Sequence, residues 1–118
     1  MGLEVATGYR DDLVVLTLQG ELDIYTVPSF RRATASLSTP HSGIVIDMDG
    51  VTLLDSSGLG AIVALRSRAG EGGAGVAIAS TARPVLRVFE VTGLLGTFPV
   101  GDDVDAAIRA LGASNAEN

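Results

Sequence analysis

The sequence predicts a single α/β domain, a mixed sheet of four or five strands with about four helices lying mainly on one face. Three observations carry this reading. Two extended segments near the N-terminus are joined by a link so short that they form an antiparallel pair. Helix-like and strand-like stretches alternate after them, the pattern of helices packed on a largely parallel sheet. A continuous apolar run in mid-chain, residues 43–48, has the composition of a strand buried on both faces. With 118 residues, 47% of them hydrophobic, the chain has the length of one domain and enough apolar side chain to bury a core.

The elements follow in order. Leu3, Val5 and Thr7 alternate with Glu4 and Ala6, the period of a half-buried strand. Arg10-Asp11-Asp12 turns the chain into a second strand over Leu13–Leu18, which Gly20 is expected to end. Glu21-Leu22-Asp23 makes an acidic corner before Thr26, a good N-cap residue for a helix with Val27, Phe30, Ala33 and Leu37 on one side. Pro28 is tolerated in that first turn. Residues 39–43, with Pro40, His41 and Gly43, compose a loop leading into the central strand Gly43–Met48.

Past that strand, Asp55 and Ser56 stand where a second helix begins, running from Leu59 to Ala69 with Leu59, Ile62 and Leu65 inward. Gly70 to Gly75 turns the chain into a buried strand at Val76–Ala79. Pro84, Val85, Val88 and Phe89 outline a third helix stopped by Gly93. Thr97–Val100 is a short strand, and Pro99 assigns it to a sheet edge. Asp102-Asp103 introduce a last helix through Val104, Ile108 and Leu111, closed by Gly112. The domain is thus expected over residues 1–112, with 113–118 a disordered polar tail.

Several function classes are disfavoured. A net charge of −6 argues against nucleic acid, whose binding needs clustered Lys and Arg. No apolar run approaches the roughly 18 residues of a membrane span, and no signal-peptide layout opens the chain, so no membrane partner and a cytoplasmic location are expected. There is no cysteine for a disulfide or thiolate site. Asp47 and Asp49 lack the further ligands a metal needs, so no metal and no cofactor are expected. An esterase reading fails because Ser56 is not in Gly-x-Ser-x-Gly and the single histidine, His41, lies in a loop of solvated composition. Gly58-Leu59-Gly60 lacks the third glycine of a dinucleotide fingerprint. No catalytic residue is assigned, and the chain reads as a binding protein.

The informative stretch is Asp55-Ser56-Ser57-Gly58-Leu59-Gly60. Two hydroxyls and a carboxylate stand at a helix start, where the first backbone N–H groups have no partner within the helix. Gly58 and Gly60 each cost roughly 0.5–1 kcal/mol of helix stability relative to Ala, which suggests that another surface approaches that turn closely.

Taken with Ile44-Val45-Ile46-Asp47 before it, Gly20-Glu21-Leu22-Asp23 and Thr26 upstream, and Arg83 to Phe89 with Gly93-Leu94 downstream, this stretch resembles the STAS family, whose small bacterial members are anti-sigma factor antagonists. The resemblance implies a STAS-like domain. It also implies that Ser56 is the residue phosphorylated by a partner that is both anti-sigma factor and serine kinase. The unmodified protein would bind that kinase and free a sigma factor; phosphorylation would block binding, and a phosphoserine phosphatase would restore it. Glu21, Asp23, Thr26, Asp55, Ser57, Gly58, Leu59 and Gly60 then become candidate partner contacts. Tyr25-Thr26-Val27-Pro28 departs from a family pattern in which polar residues are common, suggesting a surface tuned to one kinase. The alternative within the same family is a scaffold or adaptor subunit of a larger signalling assembly.

Overall fold

The computed structural model describes residues 2–37 and 42–116. The expected loop around His41 therefore lies partly outside the described residues, as do residues 117 and 118. Nine elements follow in order: β1 (Leu3–Arg10), β2 (Leu13–Leu22), α1 (Val27–Ala35), β3 (Gly43–Leu54), α2 (Ser56–Glu71), β4 (Gly75–Ala79), α3 (Arg83–Val91), β5 (Val100–Gly101) and α4 (Val104–Ala116). They build a five-stranded sheet in the order β1-β2-β3-β4-β5, antiparallel at β1/β2 and parallel elsewhere.

Side chains alternate across a strand, so each strand feeds both faces of the sheet. Val14, Leu16 and Leu18 of β2, Ile44, Ile46 and Met48 of β3, and Val76 and Ile78 of β4 pack with Phe30 of α1, Leu59, Ile62 and Leu65 of α2, and Val85 and Phe89 of α3. Val45, Ala77 and Ala79 face the other way and meet Ala107 and Leu111 of α4. Three helices thus cover one face and one covers the other, and the middle strand is buried on both, as the apolar run predicts.

Of the boundaries that differ from the sequence reading, four bear on the fold. Gly20 does not end β2. Its φ is +111°, a Cβ there would collide with the carbonyl oxygen of Gly2, and the ladder shifts register just after it, with Thr52 of β3 as the extra residue. The strand continues to the buried Leu22. Correspondingly β3 runs six residues past Met48, pairing Gly20 with Val51, Glu21 with Leu53 and Leu22 with Leu54. The edge strand is confined to Val100–Gly101, with Pro99 just before it accepting a hydrogen bond from Ile78 N–H.

The fourth difference is at the C-terminus. Gly112 does not take the left-handed conformation that closes a helix, so α4 continues and residues 113–116 are helical rather than a disordered tail. Gly93, by contrast, has φ +75° and stops α3 where the sequence places its end.

Candidate functional site at the start of helix α2

The candidate residues converge because β2 and β3 are parallel neighbours whose C-terminal ends lie side by side. The β2–α1 loop, residues 23–26, is thereby set against the start of α2. Asp55 joins the two. Its backbone is extended, the N-cap geometry, and Oδ1 accepts the N–H of Gly58 at 2.9 Å. Oδ2 accepts the N–H of Ile24 at 3.2 Å, and the Asp55 N–H donates to the Leu22 carbonyl. One carboxylate therefore caps the helix and holds the neighbouring loop.

With Asp55 as cap, the serines are left for other roles. Ser56 occupies the first helical position, exposed, and its hydroxyl has no hydrogen-bond partner among the described residues. Ser57 follows, half-buried.

The two glycines separate. Gly58 is buried, and a Cβ on it would sit 2.5 Å from the Leu22 carbonyl oxygen, 2.8 Å from Leu22 Cγ and 3.0 Å from Leu54 Cδ1. The surface that approaches it is the protein's own β2. Gly60 is exposed, with nothing within 4 Å of the place a methyl group would occupy. Leu59 belongs to the core. Of the six-residue motif, Ser56 and Gly60 are fully exposed, Asp55 and Ser57 are partly so, and Gly58 and Leu59 face inward.

The acidic corner is built by short-range bonds. Oδ1 of Asp23 accepts the N–H groups of Tyr25 at 3.0 Å and Thr26 at 3.1 Å, an Asx-type turn. Thr26 stands at the N-cap position of α1 but its side chain caps nothing. It is buried, donates its hydroxyl to the Glu21 carbonyl at 2.8 Å and accepts the Asp23 N–H at 3.0 Å. The expectation of a side-chain cap is corrected: the hydroxyl bonds backward, to the Glu21 carbonyl and the Asp23 N–H, and stitches the turn together instead. Glu21 and Asp23 remain half-buried at the surface.

Three large apolar residues adjoin the site, of which the sequence reading marks only Tyr25, as part of a surface tuned to one kinase. Tyr25 is 88% exposed, Ile24 61% and Leu53 44%. The signal available was two large apolar residues in a loop four residues long, between a strand end and a helix start.

Asp47 and Asp49 serve the fold. Asp47 Oδ1 accepts the Asp49 N–H, and Asp49 Oδ1 accepts the N–H of Thr81 at 2.8 Å and its hydroxyl at 3.1 Å, tying β3 to the β4–α3 connection. The Thr81 N–H, then its hydroxyl, lowers the Asp49 pKa below its ordinary 3.8. Arg10 pairs with Asp105. No cluster of His, Cys, Asp or Glu among the described residues has the grouping to hold a metal ion. Nor is any helix among them long and apolar enough to cross a membrane.

A mixed five-stranded sheet with four helices, carrying an acid-capped serine at the start of α2, defines a class. Residues 5–107 match the STAS domain family, and the chain belongs to it. Among its relatives is an anti-sigma-B factor antagonist of Staphylococcus aureus, 26% identical over 106 residues, 89% of this chain and 98% of that one. A crystal structure of an anti-sigma factor antagonist from Mycobacterium paratuberculosis superposes with a TM-score of 0.85 at 26% identity, covering 93% of this chain and 94% of the other. The Bacillus cell fate determinant SpoIIAA in its phosphorylated form shares the fold, with a TM-score of 0.67 at 20% identity over 90% of this chain and 98% of its own.

Proposed function

We propose that this protein is an anti-sigma factor antagonist that works by partner switching in the cytoplasm. Unmodified, it binds an anti-sigma factor that is also a serine kinase, and a sigma factor is released. Phosphorylation of Ser56 blocks that contact, and a phosphoserine phosphatase reverses it. In this reading the chain binds and is modified but catalyses nothing.

The observation that carries the reading is the division of labour at the start of α2. Because Asp55 supplies the cap, the exposed Ser56 hydroxyl supports no bond of the fold and is open to modification. A phosphate there brings about −1.5 to −2 charges. The helix N-terminus tolerates an anion, so the fold stands. Docking is another matter. At roughly 6 Å from one carboxylate the repulsion is about 1–3 kcal/mol in a largely aqueous dielectric, and it grows as an approaching protein excludes water. Every ~1.4 kcal/mol is tenfold in affinity. A kinase holding nucleotide adds phosphates of its own opposite Ser56. The Staphylococcus aureus relative, matched over nearly its whole length and named an antagonist, supports this over a scaffold role.

The test is incubation with ATP and each candidate anti-sigma factor kinase of the source bacterium, mapping phosphate by mass spectrometry with Ser56→Ala as control. Label on Ser56, together with a Ser56→Asp variant that loses kinase binding at a thermal midpoint within a few degrees of wild type, is the expected result. Phosphate elsewhere, or a Ser56→Asp variant that binds normally, would overturn it.

A further inference from the structure

We infer that Ile24, Tyr25 and Leu53 form the apolar anchor on which the kinase docks; the inference rests on the proposed function for the identity of the occupant. Large apolar side chains exposed together mark interaction surfaces. Here Tyr25, Ile24 and Leu53 are exposed at 88%, 61% and 44% on adjoining segments. Leu53 pairs with Glu21 in the β2/β3 ladder and lies three residues before Ser56. Ile24 is bonded through its N–H to the same carboxylate that caps the helix of Ser56. The other exposed large apolar residues, Tyr9, Val63, Val91 and Leu95, lie on β1, α2, the end of α3 and the segment after it.

The patch is held in shape before any partner arrives. Asp23 fixes the N–H groups of Tyr25 and Thr26, Thr26 fixes the carbonyl of Glu21, and Asp55 fixes Ile24. A loop so bonded loses little conformational freedom on binding, and a presented tyrosine is among the side chains that most often dominate interface energies. The chemistry of the occupant follows from the edges. Glu21 and Asp23 flank the apolar residues on a chain of net charge −6. The matching surface is an apolar pocket with basic groups on the side facing the loop, and its nucleotide on the side facing Ser56. Apolar anchoring thus supplies the affinity, and the charge on Ser56 decides whether the anchor is used. Asp55 connects the two, because it braces the loop with one oxygen and the helix start with the other.

The experiment is calorimetric titration of purified anti-sigma factor kinases of the source bacterium, in the presence of ADP, with wild type, Tyr25→Ala, Ile24→Ala, Tyr25→Phe and Ser56→Asp. Tyr25→Ala is expected to weaken binding at least tenfold and Ile24→Ala about fivefold. Tyr25→Phe should stay within about threefold, and all should keep wild-type thermal midpoints. Affinities of both alanine variants within twofold of wild type overturn the inference while leaving the Ser56 reading intact if Ser56→Asp still fails to bind. Loss of binding in the alanine variants alone, with Ser56→Asp unaffected, sinks the Ser56 reading and leaves the anchor standing. A complete panel in which no kinase binds the wild type overturns both.

Discussion

Substituting Gly58 and Gly60, in the first turns of α2, by alanine should move stability in opposite directions. In a helix, Gly→Ala normally stabilises by about 0.5–1 kcal/mol. At Gly60 nothing lies within 4 Å of the new methyl group, so the full gain is expected. At Gly58 the methyl would stand 2.5 Å from the Leu22 carbonyl oxygen, against an ordinary contact well above 3 Å, and also crowd Leu22 Cγ and Leu54 Cδ1. The nearest obstacle is backbone, and that carbonyl already accepts the Asp55 N–H, so no side-chain rotation relieves the clash. Moving α2 off the sheet is the remaining way out, an overpacking cost of about 1–3 kcal/mol. After subtracting the propensity gain, Gly58→Ala should destabilise by about 0.5–2 kcal/mol, and for a domain of this size each 1 kcal/mol is about 3–6 °C. Thermal and urea unfolding followed by circular dichroism measure both variants. A midpoint for Gly58→Ala at or above wild type would refute the claim that β2 demands this glycine. Gly60→Ala, being better folded, then separates stability from docking: a loss of kinase affinity in that variant identifies Gly60 as a point of close approach.

Other predictions concern the acids. Asp55→Ala removes the acceptor for both Gly58 and Ile24 and should cost about 1–3 kcal/mol, with faster amide exchange at those two residues, whereas Asp55→Asn should fall between it and wild type. Unchanged exchange at Ile24 would mean that the loop does not depend on this carboxylate. Asp49 titrates below its ordinary 3.8 because Thr81 hydrogen-bonds the charged form, so its contribution is fully present above about pH 4 and is lost as pH falls through the lowered value. The difference in thermal midpoint between wild type and Asp49→Ala should therefore be constant from pH 5 to 7 and shrink below about pH 4. A gap that stays constant into acid would contradict this.

Much of the fold was legible because it depends on periodicities that the chain displays openly. The apolar run Gly43–Met48, the helical spacing of Leu59, Ile62 and Leu65, and Gly93 as a helix stop each encode a local structure with its own physical cause. The motif was legible too, since an acid directly before two small hydroxyls at a strand–helix junction is a local arrangement, although which of the three caps the helix was not. Errors fell where a local rule met a distant neighbour. Gly20 reads locally as a strand end, yet β2 stays paired with β3 on both sides of it, and the Gly2 carbonyl approaches too closely for any side chain there. Thr26 reads as a cap, and its hydroxyl instead bonds backward to Glu21 and Asp23. Gly112 reads as a helix stop, yet its backbone takes no left-handed turn, so α4 runs on.

By itself, then, the sequence determined the α/β class, the mixed sheet with its Pro-marked edge strand, and a carboxylate followed by two hydroxyls at a helix start. Each of these follows from the preferences of residues a few positions apart. Tertiary structure alone decided which glycine faces inward, which oxygen of Asp55 reaches the neighbouring loop, and that Ile24, Tyr25 and Leu53 stay exposed on segments adjoining the start of α2. Those outcomes depend on the register of β2 against β3, which brings residues about thirty positions apart into contact and which no local preference specifies.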